Sequence, residues 1–314
     1  MPFKQTPQTF TSSIKNVTIG TGDNAVVLGG QNVLPLFAFD APYENKPAIG
    51  IEILDTGYDA SLPKLAEFYA GADTLADQAK KAAALPGVDF LTLTLSSADP
   101  NGDYKRSIED CVAEAKEVVA AVDIPVAFEG CKNIQTDEEL FGALAEALQG
   151  ENVLLLSARE EDYKTIAASA VMAYGQKIGA ESAVDINLAK QLNVLIGQLG
   201  VNNESLVMNV GTAAAGYGFE YVASTMNRVK SAALDQNDTN LQMPIVTPLA
   251  DDCWSVKESI VTEEEYPEWG PAEERGVQME ICTAAACLAC GSDAVILRHP
   301  DSVATISAFI DALM

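Results

Sequence analysis

The sequence alternates short apolar runs with segments of helical composition eight times between Pro47 and its C-terminus. Each apolar run is nearly continuous, as in parallel strands whose two faces are both covered by helices. The units average roughly 33 residues, a normal length for a βα repeat. The pattern therefore predicts an α/β fold, a (β/α)8 TIM barrel, with strands at 48–54, 88–95, 125–129, 153–157, 182–187, 205–210, 243–248 and 294–298.

Helices are expected between these strands, where Ala, Glu, Lys and Leu predominate. The clearest helical segments are 107–122, 137–149, 162–178, 188–199, 217–234, 277–290 and 302–313. A doubly wound open sheet is the structural alternative, and it usually carries a glycine-rich phosphate-binding turn after its first strand. The corresponding turn here, from Leu54 to Asp59, contains only Gly57. The closed barrel is therefore the favoured fold.

The first 47 residues are expected to form an extension before the barrel. Apolar runs at 17–20 and 25–29 flank a Thr-Gly-Asp-Asn turn, which predicts a β-hairpin. No linker, low-complexity tract or change in composition marks a second domain after it. The sequence thus predicts an N-terminal hairpin and cap in 1–47 and a single TIM-barrel domain in 48–314.

The charge of the chain excludes several classes of partner. Acidic residues outnumber basic ones by 45 to 19, which gives a net charge of −26 with the single histidine neutral. Such a surface repels nucleic acid and anionic lipid. No apolar run approaches the roughly 20 residues of a membrane-spanning helix, and residues 1–10 lack the apolar stretch of a signal peptide. We therefore expect a cytoplasmic protein that binds neither nucleic acid nor membranes.

In a TIM barrel the functional site lies at the C-terminal ends of the strands. Polar residues commonly occur at such strand ends without any function, so a polar side chain found there also has an ordinary structural interpretation. Few of the residues found here are typical acid–base catalysts. The predicted strand ends place a polar ring at Asp55, Asp99, Glu129, Ser157, Asn187, Asn209, Thr247 and Arg298.

The loop after the sixth strand is rich in small residues. It runs from Asn209 to Gly218 and includes Gly211, Thr212, Ala213 and Gly216. Small residues let a backbone approach a flat ligand or a partner closely. The loop has no Lys-Ser/Thr pair, so it is not a phosphate-binding P-loop. It is either part of a ligand site or a tight turn before an Ala-rich helix.

The segment from Leu249 to about Gly276 is the longest predicted loop. It holds nine acidic and two basic residues between Asp251 and Arg275, together with both tryptophans, Trp254 and Trp269. Long loops in compact domains are usually functional, and exposed aromatic residues favour protein interfaces. The segment is therefore expected to be an interface, a lid that buries its own tryptophans, or both.

Two features suggest metal chemistry, and neither meets its requirements. His299 is the only histidine, so a histidine-rich metal site or a Ser-His-Asp triad is not expected, and a local hydrogen bond is. Cys282, Cys287 and Cys290 have the C-x4-C-x2-C spacing of plant-type [2Fe–2S] ligands. Their surroundings are helical, and residues five apart on a helix differ in direction by about 140°. These thiols are expected to act as small apolar side chains.

Four stretches carry a resemblance to a known family. They are Asn-Val-Gly-Thr-Ala-Ala-Ala-Gly-Tyr-Gly-Phe-Glu-Tyr at 209–221, Trp-Ser-Val-Lys-Glu-Ser at 254–259, Pro-Glu-Trp-Gly-Pro-Ala-Glu-Glu-Arg-Gly at 267–276 and Gly-Ser-Asp-Ala-Val-Ile-Leu-Arg-His-Pro at 291–300. The chain resembles the small subunit of the corrinoid/iron–sulfur protein, which is the delta subunit of the acetyl-CoA decarbonylase/synthase system. The similarity covers most of the chain and is densest from Leu206 onward.

This resemblance implies a TIM barrel paired with a larger subunit that carries a [4Fe–4S] cluster and the main corrinoid-binding domain. The corrinoid cobalt takes a methyl group from methyltetrahydrofolate through a separate methyltransferase and passes it to acetyl-CoA synthase, in the reductive acetyl-CoA pathway. The barrel top is then expected to hold and shield the corrinoid between the subunits, as a non-catalytic subunit without a metal ligand. Trp254 and Trp269 would face the large subunit or the cavity. The corrinoid contacts implied are Asn209, Gly211, Thr212, Ala213, Gly216, Tyr217 and Arg298.

The residues agree with this implication and leave two other functions open. The chain has no Asp-x-His-x-x-Gly corrinoid signature, because Pro follows its only histidine. A pterin-binding methyltransferase acting on a corrinoid protein has the same barrel fold, and would recruit Asp55, Asp99, Asp185 and Asn209 around the pterin ring. A structural subunit that never touches the cofactor is the third hypothesis.

Overall fold

The computed structural model describes residues 6–314, so the first five residues of the predicted cap lie outside the described residues. Its strands are β1 (Val17–Ile19), β2 (Val26–Leu28), β3 (Ala48–Leu54), β4 (Phe90–Thr94), β5 (Val126–Glu129), β6 (Leu154–Ala158), β7 (Lys177–Glu181), β8 (Leu206–Asn209), β9 (Val246–Pro248) and β10 (Ala294–Leu297). Its α-helices are α1 (Pro63–Tyr69), α2 (Leu75–Ala83), α3 (Ile108–Ala121), α4 (Ile134–Ala147), α5 (Tyr163–Ile166), α6 (Ile186–Gln198), α7 (Phe219–Leu234), α8 (Ala250–Trp254), α9 (Lys257–Ile260), α10 (Ala272–Cys290) and α11 (Pro300–Leu313).

Strands β3 to β10 form one parallel sheet that curls into a nearly closed barrel. The hydrogen-bonded order is β8-β7-β6-β5-β4-β3-β10-β9. The remaining seam, between β8 and β9, is joined by a bridge between Met208 and Ile245, where the Met208 N–H donates to the Pro244 carbonyl at 2.8 Å. The predicted fold class, a TIM barrel with an N-terminal β-hairpin, is confirmed.

The hairpin of β1 and β2 closes the N-terminal end of the barrel. The side chain of Asn152 holds it there, donating to the carbonyls of Thr18 at 2.9 Å and Gly20 at 2.8 Å. Three apolar side chains of the hairpin pack against side chains inside the barrel, such as Phe90. They belong to Val17, Ile19 and Leu28. Because this end is filled, access to the barrel interior remains at the opposite, C-terminal end.

One repeat differs from the sequence-based expectation. The fifth barrel strand is β7 at Lys177–Glu181, not 182–187, and the preceding helix ends in a π-helical turn at Ala167–Met172 instead of continuing to 178. Strand β7 is hard to recognise because it begins and ends with charged residues and contains a glycine. Asp185 instead caps α6, its side chain accepting the Asn187 N–H at 2.7 Å. Asn187 is therefore a helix residue, and Glu181 takes the strand-end position.

Side-chain caps mark the start of five α-helices, which are α2, α3, α4, α6 and α11. Ser107 accepts the Asp110 N–H at 3.1 Å at the start of α3, and Asn133 accepts the Thr136 N–H at 3.2 Å at the start of α4. Such caps satisfy backbone N–H groups that have no partner within the helix. Within residues 6–314, none of the helices combines the length and apolar character that a bilayer crossing requires.

Candidate functional site

A cleft of about 270 Å³ opens at the C-terminal mouth of the barrel. It lies over the ends of β5 to β9, where TIM barrels place their sites. Strand ends and the loops that follow them supply its lining, which comprises Glu129, Gly130, Lys132, Leu156, Ser157, Arg159, Glu181, Ala183, Val184, Asn209, Gly211, Thr212, Pro248, Asp251 and Asp252.

Asn209 is held in a fixed orientation in this cleft. Its side-chain nitrogen donates to the Ser157 hydroxyl at 2.9 Å, and its side-chain oxygen accepts the Gly211 N–H at 3.0 Å. Ser157 reaches Asn209 from a bulge in β6, where it has no partner in the ladder with β7. Bulges commonly redirect a side chain in this way. Both side chains are buried, so two of the predicted strand-end residues form one preorganised polar pair.

The small-residue loop after β8 lies directly against the loop after β7. Gly211 has a φ of +80°, and a Cβ there would lie 3.1 Å from the backbone nitrogen and a side-chain methyl of Val184. Val184 itself has a φ of +65°, an uncommon conformation for a β-branched residue. The Thr212 hydroxyl is buried and lies against the Cys287 thiol of α10. The structure therefore brings Asn209, Gly211 and Thr212 together.

The remaining predicted residues of that loop do not line the cleft. Ala213, Gly216 and Tyr217 lie outside its lining, and a Cβ built on Gly216 would meet no described atom within 4 Å apart from its chain neighbours. Tyr217 is 47 % exposed and its hydroxyl donates to Glu258 on α9 at 2.5 Å. Tyr217 thus connects the loop before α7 to the segment 249–276 at the rim of the mouth.

Both cations of the cleft are already paired with carboxylates. Lys132 lies 2.6 Å from Asp251, and Arg159 lies 3.4 Å from Glu181 and 3.6 Å from Asp137. Partial burial acts to raise the pKa of Asp251, but the ion pair with Lys132 outweighs it and holds the pKa below its usual value. An anionic ligand would therefore have to displace a carboxylate partner.

Glu129 differs from these paired groups. No hydrogen bond reaches its Oε1 within the described chain, although that atom is buried. Burial, and next the nearby charge of Glu52, raises its pKa to about 8. The sequence predicts Glu129 as a member of the polar ring at the strand ends, but no local pattern in it indicates that the pKa of this carboxyl group is raised.

Arg298 does not join the cleft. Its guanidinium is paired with the buried Glu52 at 2.7 Å, and Glu52 also accepts the Thr94 hydroxyl at 2.9 Å. Arg298 lines a separate cavity of about 360 Å³ together with Trp254, under the segment 249–276. The sequence groups Arg298 with Asn209 at one surface, but in the structure the two residues line different cavities.

The two tryptophans have different environments. Trp254 is buried, its indole N–H donates to Glu280 at 3.1 Å, and its ring stacks on His299 with centroids 5.8 Å apart. Trp269 is partly exposed and stacks on Tyr266 with centroids 4.5 Å apart. The segment 249–276 therefore packs as a lid through Trp254 and presents an aromatic surface through Trp269.

His299 has a local structural role, as expected. It caps α11 by accepting the Asp301 N–H at Nδ1 at 3.1 Å, and its Nε2 lies 3.2 Å from Glu273. Because Nδ1 accepts, the ring proton of the neutral form resides on Nε2 and is donated to Glu273. Through these two contacts His299 joins the start of α11 to α10 and stabilises the packing of the two helices.

The cysteine trio lies on helix α10, as its composition indicated. Cys282 is exposed, Cys287 is buried and Cys290 is half-buried. The different exposure of Cys282 and Cys287 fits the divergence expected for residues five apart on a helix. Burial strongly raises the pKa of the Cys287 thiol, which keeps it protonated and apolar in character.

The carboxylates proposed for a pterin cradle are engaged elsewhere. Asp55 accepts the Ser97 N–H at 3.1 Å, and Asp99 accepts the Asn101 N–H at 2.9 Å. Asp185 caps α6. Of the four residues considered for that site, only Asn209 lines the cleft.

Lys132, Arg159 and Glu181 line the cleft but were absent from the sequence-based set. Arg159 directly follows β6 and Lys132 lies three residues after β5. Their positions just after strand ends could therefore have identified them from the sequence. Glu181 was missed because its strand was placed too late in the sequence.

Comparison with known proteins identifies the family. The sequence profile of the CO dehydrogenase/acetyl-CoA synthase delta subunit matches residues 16–302. The chain belongs to this delta subunit family. Two relatives in it are the acetyl-CoA decarbonylase/synthase complex subunit delta of Archaeoglobus fulgidus, 32 % identical over 94 % of this chain, and subunit delta 2 of Methanosarcina acetivorans, 33 % identical over 94 %. This member of the delta subunit family spans 65 % and 67 % of the length of those two relatives.

Dihydropteroate synthases are among the solved structures similar to this delta subunit family member. The enzyme of Yersinia pestis with a pterine–sulfa conjugate has a TM-score of 0.53 and 10 % identity, and covers 85 % of this chain and 93 % of its own. The enzyme of Xanthomonas albilineans with 4-aminobenzoic acid has a TM-score of 0.54 and 12 % identity, and covers 95 % and 98 %. At such identity the likeness shows the barrel fold alone.

Proposed function

We propose that this chain is the small subunit of a corrinoid-dependent methyl carrier and that its barrel mouth covers a corrinoid held mainly by a larger partner. Membership in the delta subunit family supports the proposal, and the polar cleft at the barrel mouth is the observation that carries it. The larger partner would carry the [4Fe–4S] cluster. The methyl group would come from methyltetrahydrofolate through a separate methyltransferase and go on to acetyl-CoA synthase.

The lining of the cleft fits a ligand that carries polar, uncharged groups around its rim, as a corrinoid does. The buried Oε1 of Glu129 has no hydrogen-bond partner in the described part of the chain. Pockets that enclose a drug-sized ligand have roughly 300–1,000 Å³, so a cleft of about 270 Å³ accommodates an edge of a corrinoid and not the whole ring. The remaining surface of the corrinoid would then face the partner.

The residues of this chain would bind and orient the ligand and exclude water from it. Asn209 presents an amide fixed by Ser157 and Gly211. The charges of Lys132 and Arg159 are compensated by neighbouring carboxylates. When bound, the corrinoid supplies a cobalt atom that accepts and releases the methyl group, while the protein supplies orientation and shielding.

The proposal is tested by shortening the loop 211–218 in the complex expressed with its large subunit. Cobalt per complex after gel filtration is expected to fall in the shortened variant. Tyr221→Ser is the matched control, because Tyr221 is highly exposed and lies outside the cleft lining. Unchanged cobalt in the shortened variant, with the complex intact, would favour a purely structural subunit.

A further inference from the structure

Glu129 stands at the end of β5, on the wall of the cleft, without the partner that its neighbours have. Glu52 pairs with Arg298 and Glu181 pairs with Arg159. The nearest cation from its own loop, Lys132, is bound to Asp251. Oε1 of Glu129 is buried and has no hydrogen-bond partner among residues 6–314, which is costly unless a ligand supplies one.

The charges that surround Glu129 favour its neutral form. Burial is the largest cause, and the carboxylates of Glu52, Asp251 and Glu181 add to it, while Lys132 opposes it. The resulting pKa of about 8 keeps Glu129 protonated at neutral pH. A protonated carboxyl group has one O–H donor and one carbonyl acceptor side by side.

We propose that Glu129, in its neutral form, binds a primary carboxamide of the ligand in the barrel mouth. Its O–H donates to the amide oxygen, and its carbonyl oxygen accepts an N–H from the amide nitrogen. This two-point pairing satisfies both groups, and it requires a ligand group that has an N–H beside a carbonyl oxygen, as a –CONH2 group does.

Charged ligand groups fit this position less well. A carboxylate or phosphate would meet the negative charges of Glu181, Asp251 and Asp252, and both cations of the cleft are already paired. An amine would require Glu129 to ionise. The inference rests on the proposed function for the identity of the ligand, since corrinoids carry primary carboxamides on their ring side chains.

The test measures binding to the full chain at pH 7 and pH 9 with two probes, dicyanocobinamide by calorimetry and benzamide by NMR titration. If only protonated Glu129 binds, the affinity for each probe falls about tenfold between these pH values, in proportion to the protonated fraction. Glu129→Gln keeps a donor and an acceptor and does not titrate, so its affinity for each probe is expected to be the same at pH 7 and pH 9. Glu117→Gln is the control, and it should retain the tenfold fall because Glu117 is exposed on α3 and lies outside the cleft lining.

Infrared spectroscopy gives a readout that is independent of binding. The C=O stretch of a protonated carboxyl group is expected at pH 7, should weaken by pH 9, and should be absent in Glu129→Gln. Circular dichroism confirms that the variants are folded. If this band does not differ between the wild type and Glu129→Gln, the inference is wrong whatever the probes do.

The two probes separate failure of this inference from failure of the proposed function. Dicyanocobinamide that binds equally at both pH values overturns the inference and leaves the proposed function standing. Benzamide that binds with the tenfold fall, together with no binding of dicyanocobinamide, retains the carboxamide site and overturns the corrinoid. If neither probe binds, the carboxamide site is overturned.

Discussion

Lys230 on α7 and Asp293 just before β10 form a buried ion pair, with Nζ and Oδ2 2.7 Å apart and both side chains almost inaccessible. Asp293 also accepts the Ile245 N–H at 2.6 Å and a hydrogen bond from the Gln31 side chain. The pair therefore joins a helix, two neighbouring strand starts and the N-terminal segment at the closed end of the barrel.

Lys230→Met is expected to be strongly destabilising. Removing one partner of a buried ion pair leaves an uncompensated charge, which typically costs about 3–5 kcal/mol. Urea denaturation should show this loss in the free energy of unfolding. Lys46→Met is the matched control, because the pair of Lys46 with Asp311 is exposed and its loss should change little. Equal effects of the two substitutions would contradict the structural role of the buried pair.

Gly211→Ala should weaken ligand binding more than Gly216→Ala. Both glycines have positive φ, of +80° and +91°, so both variants incur a similar backbone cost of about 1 kcal/mol. Only at position 211 would the new methyl group press on Val184, 3.1 Å away, and disturb the loops that form the cleft. Calorimetry with dicyanocobinamide compares the two variants. Equal affinities would show that contact of these loops does not shape the site.

Gly276→Ala is expected to displace Trp254. A Cβ at position 276 overlaps the indole ring, and forcing extra volume into a packed site typically costs about 1–3 kcal/mol. Urea denaturation and tryptophan fluorescence should both change. Gly197 lies near the end of α6, where a Cβ would meet no atom within 4 Å apart from its chain neighbours and the backbone of its own helix. Gly197→Ala should therefore instead stabilise the fold by about 0.5–1 kcal/mol. Loss of stability only in the second variant would contradict the packing described here.

Glu129 should make the fold less stable as the pH rises from about 5 to 8. Its folded pKa of about 8 lies above the ordinary value of 4.5, so the folded state binds the extra proton in this window. Each pH unit then costs at most about 1.4 kcal/mol for this one group. As the pH rises to 8, the unfolding free energy of the wild type should therefore fall relative to that of Glu129→Gln. A constant difference would show that the carboxyl group titrates normally.

The sequence predicts the barrel because periodicity is a local property, but it places the site only partly. Apolar runs locate seven of the eight barrel strands, whereas β7 escapes because its single bulky apolar residue is Ile178. Asn209 was recognised from the strand end before a small-residue loop. The separation of Arg298 from that loop depends on its pairing with Glu52, 246 positions away, and on the cavity formed by the segment 249–276. No local pattern specifies such long-range pairing.

The central claim is that this chain shields a corrinoid together with a larger partner. Isolation of the chain from native cells, followed by cobalt and iron analysis and a visible absorption spectrum, tests it most directly. The account predicts a tight complex with a larger chain, one cobalt per pair and the absorption shoulder of an iron–sulfur cluster. A lone, colourless chain that binds methyltetrahydrofolate would contradict it and would identify a pterin-binding methyltransferase.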